Sequence, residues 1–93
     1  MIKLGEVDSN LLQKIMASLL EAHNIYRAKG FIAMQGKPMR QVIQAVGERM
    51  DVYFDRLWQQ DEARETHLVF IGKDLDKTVV TEALAAAQLE LTV

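Results

Sequence analysis

Few side chains in this sequence could do chemistry, and His67 is the first of them. It follows Asp61, Glu62 and Glu65 in a short polar stretch, and one imidazole with two carboxylates is a legitimate donor set for zinc or another transition metal. The candidate metal ligands are therefore His67, Glu62 and Glu65. No second histidine stands three or four residues from His67 to fix the geometry, so a solvated acidic loop competes with that reading. The other histidine, His23, follows an apolar helical stretch and reads as a cap or boundary residue, because cations are favoured at helix C-termini. Of the methionines, Met16 and Met50 fall on expected core faces, where a flexible thioether fills gaps more often than it binds a soft metal.

Catalytic arrangements fare worse. Gly30 to Pro38 has the glycines and the lysine of a phosphate-binding loop. Five residues rather than four separate its glycines, and Pro38 stands where the magnesium-binding hydroxyl belongs. Asp51 and Asp55 would share a strand face about 13 Å apart, too far for a paired acid and base. With no Ser–His–Asp arrangement in sensible context, an enzyme has almost nothing to work with. The basic residues Arg27, Lys29, Arg40, Arg49, Arg56 and Arg64 could gather on one sheet face and take an anion or an acidic partner, although acids are interleaved with them.

Composition closes further possibilities. The 93 residues suit one modest core and a single domain. Eleven Lys plus Arg against thirteen Asp plus Glu gives a net charge of -2, which offers no electrostatic footprint for nucleic acid or a polybasic membrane contact. Zero cysteines remove thiolate nucleophiles, disulfides and Cys-containing zinc sites. Apolar runs such as Leu68–Ile71 are far short of the ~20 residues that span a bilayer, and the N-terminus has no signal-peptide core. The expectation is a cytoplasmic protein.

The elements that must position these side chains follow from periodicity. Leu11, Leu12, Ile15, Met16, Leu19 and Leu20 repeat at helical spacing behind Asp8 and Ser9, which predicts an amphipathic helix from about 9 to 23. A strand-like run over 25–34 ends at the turn Gln35–Pro38. Met39–Val46 and the stretch from Met50 onward would form a hairpin at Gly47–Arg49, with Met50, Val52, Phe54 and Trp58 on one face and Asp51, Tyr53 and Asp55 on the other. Residues 59–66 form the one substantial loop. Leu68–Ile71, apolar on both parities, is a central strand. Asp74 or Asp76 caps a second helix carrying Val79, Val80, Ala83, Leu84, Ala87 and Leu91, and residues 89–93 are a frayed helix end or a short edge strand. Short connections favour an antiparallel meander. The fold class is α+β, a two-layer sandwich in which an antiparallel sheet of about four strands carries both helices on one face. Residues 1–8 are a lead-in and 9–88 the core of one domain.

Two segments resemble a known family. Arg27-Ala28-Lys29-Gly30-Phe31 is similar to the Arg-x-Lys-Gly-Phe/Leu motif that opens the sheet of the CobW C-terminal domain, the second domain of CobW-like GTPases associated with metal insertion and cobalamin biosynthesis. Arg64-Glu65-Thr66-His67-Leu68-Val69-Phe70-Ile71-Gly72-Lys73-Asp74-Leu75-Asp76 resembles that family's Arg-x-x-x-Leu-Val-Phe-Ile-Gly-Arg/Lys-Asp-Leu-Asp segment, and Trp58 stands where the family often has a Trp before its variable loop. The resemblance runs from about residue 10 to 88. Ile2–Val7 would correspond to the strand-bearing segment with which the family's domain commonly begins.

The family's P-loop, Asn-Lys-x-Asp and Cys-rich metal motif have no counterpart in this sequence. The resemblance thus implies a non-catalytic accessory domain of a GTP-dependent metallochaperone, either excised or standing alone, that does not hydrolyse GTP unaided. GTP and a divalent metal such as zinc or cobalt are implied only for the full-length family. The partners implied are the GTPase domain, a metal-receiving client protein or a second copy, with no nucleic acid and no membrane. Arg27, Lys29, Gly30, Arg64 and Asp74 are the motif residues that specify the fold or meet the partner: Gly30 by allowing close approach of a helix or an unusual backbone angle, Arg64 and Asp74 by tying the ends of the central strand. The alternative function is a small stand-alone metal-binding protein built on His67 with Glu62 and Glu65.

Overall fold

A computed structural model describes residues 1–88 of the chain. The elements run β1 (Ile2–Leu4), α1 (Ser9–Ala22), β2 (Ile25–Ile32), β3 (Met39–Val46), β4 (Arg49–Leu57), β5 (Thr66–Gly72) and α2 (Lys77–Ala85). The strands form one antiparallel sheet in the order β1-β5-β2-β3-β4. The sheet thus has five strands where the sequence suggests about four. The extra one is the lead-in, whose apolar–charged–apolar triplet Ile2-Lys3-Leu4 pairs with Leu68, His67 and Thr66 at the outer edge of β5.

Each helix is started by its aspartate. Asp8 accepts from the Leu11 N–H at 3.1 Å, while Asp76 accepts from the N–H groups of Thr78 and Val79 at 2.9 and 3.3 Å, satisfying donors that no helical carbonyl reaches. Asp76 rather than Asp74 is therefore the cap of α2. The His23 N–H closes α1 by donating to the Leu19 carbonyl. The apolar stripe of α1 buries Leu12, Met16 and Leu19, that of α2 buries Val80 and Leu84, and all five join Ile2, Leu4, Ala28, Ile43, Ala45 and Leu68 in one core. Both helices accordingly cover the same face of the sheet.

One polar contact inside this core fixes where α1 lies. Ser9, 3% exposed, donates its hydroxyl to Gln41 Oε1 on β3, itself 8% exposed, and accepts from Gln13 Nε2 at 3.0 Å. Buried polar groups need partners, so this pair sets the register of α1 over the sheet. The β3–β4 hairpin turns at Gly47, whose φ of 59° is the left-handed conformation that glycine adopts without steric cost. Residues 89–93, including Leu91, lie outside the described residues.

Candidate functional site

Because side chains alternate across a strand, the register assigns every strand residue to a face. Opposite the helices, the first row of neighbours is Lys3, His67, Phe31, Val42 and Tyr53. The second is Val69, Lys29, Gln44 and Asp51, and the third Ile71, Arg27, Val46 and Arg49. No described helix covers this face. Val46 is 61% exposed, Ile71 49% and Tyr53 48%, which is unusual for aliphatic and aromatic side chains on a sheet.

Its charges fall into two groups. Most are neutralised within the fold. Arg56 makes a two-pronged contact with Glu62, Nη1 to Oε1 at 2.8 Å and Nη2 to Oε2 at 2.6 Å, and Glu62 also accepts from the Gln59 N–H at 3.1 Å. Those bonds, the arginine first, hold the Glu62 carboxyl down at about 2. Arg40 forks onto Asp55 and lies over Phe31, 3.7 Å from the ring centroid, and the pairing draws the Asp55 pKa below the ordinary carboxylate range. Glu65 meets His67 Nε2 at 3.0 Å and Lys3 Nζ at 3.4 Å, which likewise lower its pKa, and Arg49 pairs with Asp51 at 3.2 Å. Arg27 and Lys29, both exposed on the central strand, have no ion-pair partner among the described residues.

The loop after β4 roofs one end of this face. It encloses a cavity of about 310 Å³ lined by Phe31, Arg40, Trp58, Glu62, Ala63, Glu65 and His67. All three candidate metal ligands therefore border one space. Their donor atoms are engaged with Arg56, Lys3 and one another, and among the described residues no group of three or more His, Asp or Glu is placed to hold a metal ion. The buried indole N–H of Trp58 has no acceptor among the described residues.

Trp58 reaches this cavity because β4 is irregular. Between Arg40–Arg56 and Gln41–Phe54 the register slips, leaving Asp55 as an extra residue on β4. The alternation that would put Trp58 with Met50 and Val52 breaks there, and Trp58 lands on the face opposite them. Each aspartate serves its own arginine, Asp51 with Arg49 and Asp55 with Arg40.

The remaining motif residues shape the scaffold. A Cβ on Gly30 would lie 1.9 Å from the His67 carbonyl oxygen, so glycine is needed for the approach of β5; the close neighbour is a strand and not a helix, and the φ is not positive. Arg64 Nη1 donates to the Lys37 carbonyl at 3.4 Å, tying the loop to the β2–β3 connection. Asp74 takes a positive φ of 56° in the turn after β5, a conformation that Asp tolerates better than most residues. The Arg56–Glu62 clamp that organises the loop escaped sequence reasoning, since five residues separate partners that only the turn of the chain brings together.

Comparison with known proteins agrees with this architecture. The family model described as the cobalamin synthesis protein cobW C-terminal domain matches residues 4–88. A Pseudomonas aeruginosa protein named zinc chaperone CobW is 46% identical over 86 residues, covering 92% of this chain and 23% of its own length. A Sinorhizobium zinc chaperone CobW is 46% identical over 72 residues, covering 76% of this chain and 20% of its own. The crystal structure of Zn(II)-bound YjiA GTPase from E. coli superposes with a TM-score of 0.82 at 27% identity, over 95% of this chain and 28% of that one. A Zn(II)-bound triple mutant of YjiA GTPase gives 0.84 at 28% identity with the same coverage. The chain thus spans less than a third of the length of these relatives.

Proposed function

The chain belongs to the CobW C-terminal domain family, and on that premise we propose that it is the non-catalytic accessory domain of a GTP-dependent metallochaperone, working through protein contacts. The observation that carries this reading is the sheet face that no described helix covers, where Val46 and Ile71 lie exposed on either side of Arg27 and Tyr53 is exposed farther along the face. Patches of that kind mark interaction surfaces. The groups that could act on a substrate serve the fold instead: Glu62 holds Arg56, Asp55 holds Arg40 and Glu65 holds His67.

The partner is the GTPase domain, a metal-receiving client or a second copy, and the setting is cytoplasmic. No described helix is long and apolar enough to cross a membrane. Zinc, which the names of the relatives carry, is cargo of the larger assembly, as is cobalt in the cobalamin setting, and GTP is used by the GTPase domain. Calorimetric titration of this chain into the Pseudomonas aeruginosa relative lacking its matching segment, with GTP and zinc present, tests the proposal. Saturable binding without GTP turnover by the chain alone is expected. GTP hydrolysis by the purified chain, or no binding together with a strictly monomeric chain, overturns it.

A further inference from the structure

We infer that the open sheet face, centred on Arg27 and Lys29, docks an acidic, partly apolar polypeptide segment. The inference rests on the accessory role proposed above and adds the surface and the chemistry of what it meets. Charge gives the first argument. A protein of net charge -2 places Lys3, Arg27, Lys29 and Arg49 in the three rows of this face against two carboxylates, Asp51 within the rows and Glu65 at their edge. Lys3 and Arg49 have local acids, whereas Arg27 and Lys29 have none among the described residues. Two positions apart on one strand, their Cα atoms are about 6.7 Å from each other. That interval suits carboxylates one helical turn apart, or at alternate positions of a strand.

The flanks supply the second argument. Arg27 sits between Ile71 on one neighbouring strand and Val46 on the other, both about half exposed or more. A carboxylate over Arg27 would bring its own apolar neighbours onto these two side chains, excluding water from the ion pair and strengthening it. Size then decides the kind of occupant. Three rows, one across five strands and two across four, cover about 14 to 19 Å by 13 Å, about a quarter of the ~800 Å² per partner that a stable protein interface buries. Such an area fits one segment rather than a whole domain face.

The same features count against other occupants. A two-fold dimer through this face would set β2, the central strand, near the axis and bring Arg27 and Lys29 against their own copies. Nucleic acid would meet the Asp51 and Glu65 carboxylates on a face with two cations unpaired among the described residues, too few for strong phosphate binding.

The test titrates the isotopically labelled chain with a capped amphipathic 14-residue peptide that has Glu at every fourth position and Leu beside it. Amide shifts should saturate and concentrate at Arg27, Lys29, Val46 and Ile71. Arg27→Glu with Lys29→Glu should weaken binding by about ten-fold or more while leaving the thermal unfolding curve in place. Four results each overturn the assignment: affinity of the double variant within about two-fold of the parent, equal binding of the same peptide with Lys for Glu, tighter binding of duplex DNA, or self-association that shifts the Arg27 amide in the chain alone. The two readings fail separately. A double variant that still binds the truncated Pseudomonas aeruginosa relative would remove this face and keep the accessory role; a parent chain that binds neither probe and stays strictly monomeric would remove the role itself.

Discussion

Individual residues here act mainly by what they prevent. Gly30 is the clearest case, because a methyl group at that position would lie 1.9 Å from the His67 carbonyl and 2.9 Å from its carbon. Both are backbone atoms of the adjoining strand and cannot swing aside. Gly30→Ala should therefore force β2 and β5 apart and cost about 2–3 kcal/mol by urea unfolding, in the range of overpacked cores. A cost below about 0.5 kcal/mol would mean that the strands do not approach as closely as described. Glu62 carries a second prediction. Its folded pKa is depressed to about 2 by Arg56 and the Gln59 N–H, below the unfolded value of 4.5. Its contribution is therefore fully present above about pH 4.5 and is lost as the pH falls towards 2. Glu62→Gln should flatten the acid limb of stability over that window, and a carbon-detected titration of the parent should place the Glu62 midpoint near 2. An unshifted midpoint near 4.5 would show that the Arg56 clamp does not form in solution.

At the scale of elements, periodicity located what it could. The two helices and the hairpin at Gly47 were legible because each has a repeat of the right period and a residue that ends it, and the strand before Gly72 because its apolar run stops at a glycine. Two features were not. The slip in β4 has no glycine or proline to announce it and shows only in the register, where Arg40 pairs with Arg56 and Gln41 with Phe54. Strand β1 is three residues long, too short for a periodic signal, and its core contribution is visible only once Thr66–Leu68 lies beside it. The alternation within β1 makes a sharp test. Ile2 and Leu4, each 6% exposed, belong to the core, whereas Lys3 between them faces the open side and pairs with Glu65 while 60% exposed. Leu4→Ala should cost about 2–4 kcal/mol and Lys3→Ala less than about 0.5. Comparable costs for the two would mean that β1 is paired one residue out of register, since a slip by one exchanges the faces.

The molecule as a whole is a slab with one finished and one unfinished face. Its surface is 6217 Å², against about 5,500 Å² expected for a compact protein of this mass, and its extents are 37 × 31 × 20 Å. The second sheet face has no helix upon it among the described residues. That asymmetry explains why the candidate site was only partly readable from the chain. Arg27, Lys29 and Gly30 stood out as a motif, yet Val46 and Ile71 looked like ordinary strand residues until the register set them on either side of Arg27. A slab of this kind can still be self-sufficient, because its finished face encloses one continuous core to which β1, both helices and the inner strands all contribute. The isolated chain should then unfold as a single unit. Far-UV circular dichroism, which follows the helices, and the fluorescence of Trp58, which lies at the far side of the sheet, should give coincident urea curves with a slope of about 1–2 kcal/mol per molar. Separated midpoints, with Trp58 released first, would mean that the loop over the open face is held by its ion pairs alone and melts apart from the core. The open face would then need its partner in order to be ordered, and the docking segment would bind by folding the surface it meets.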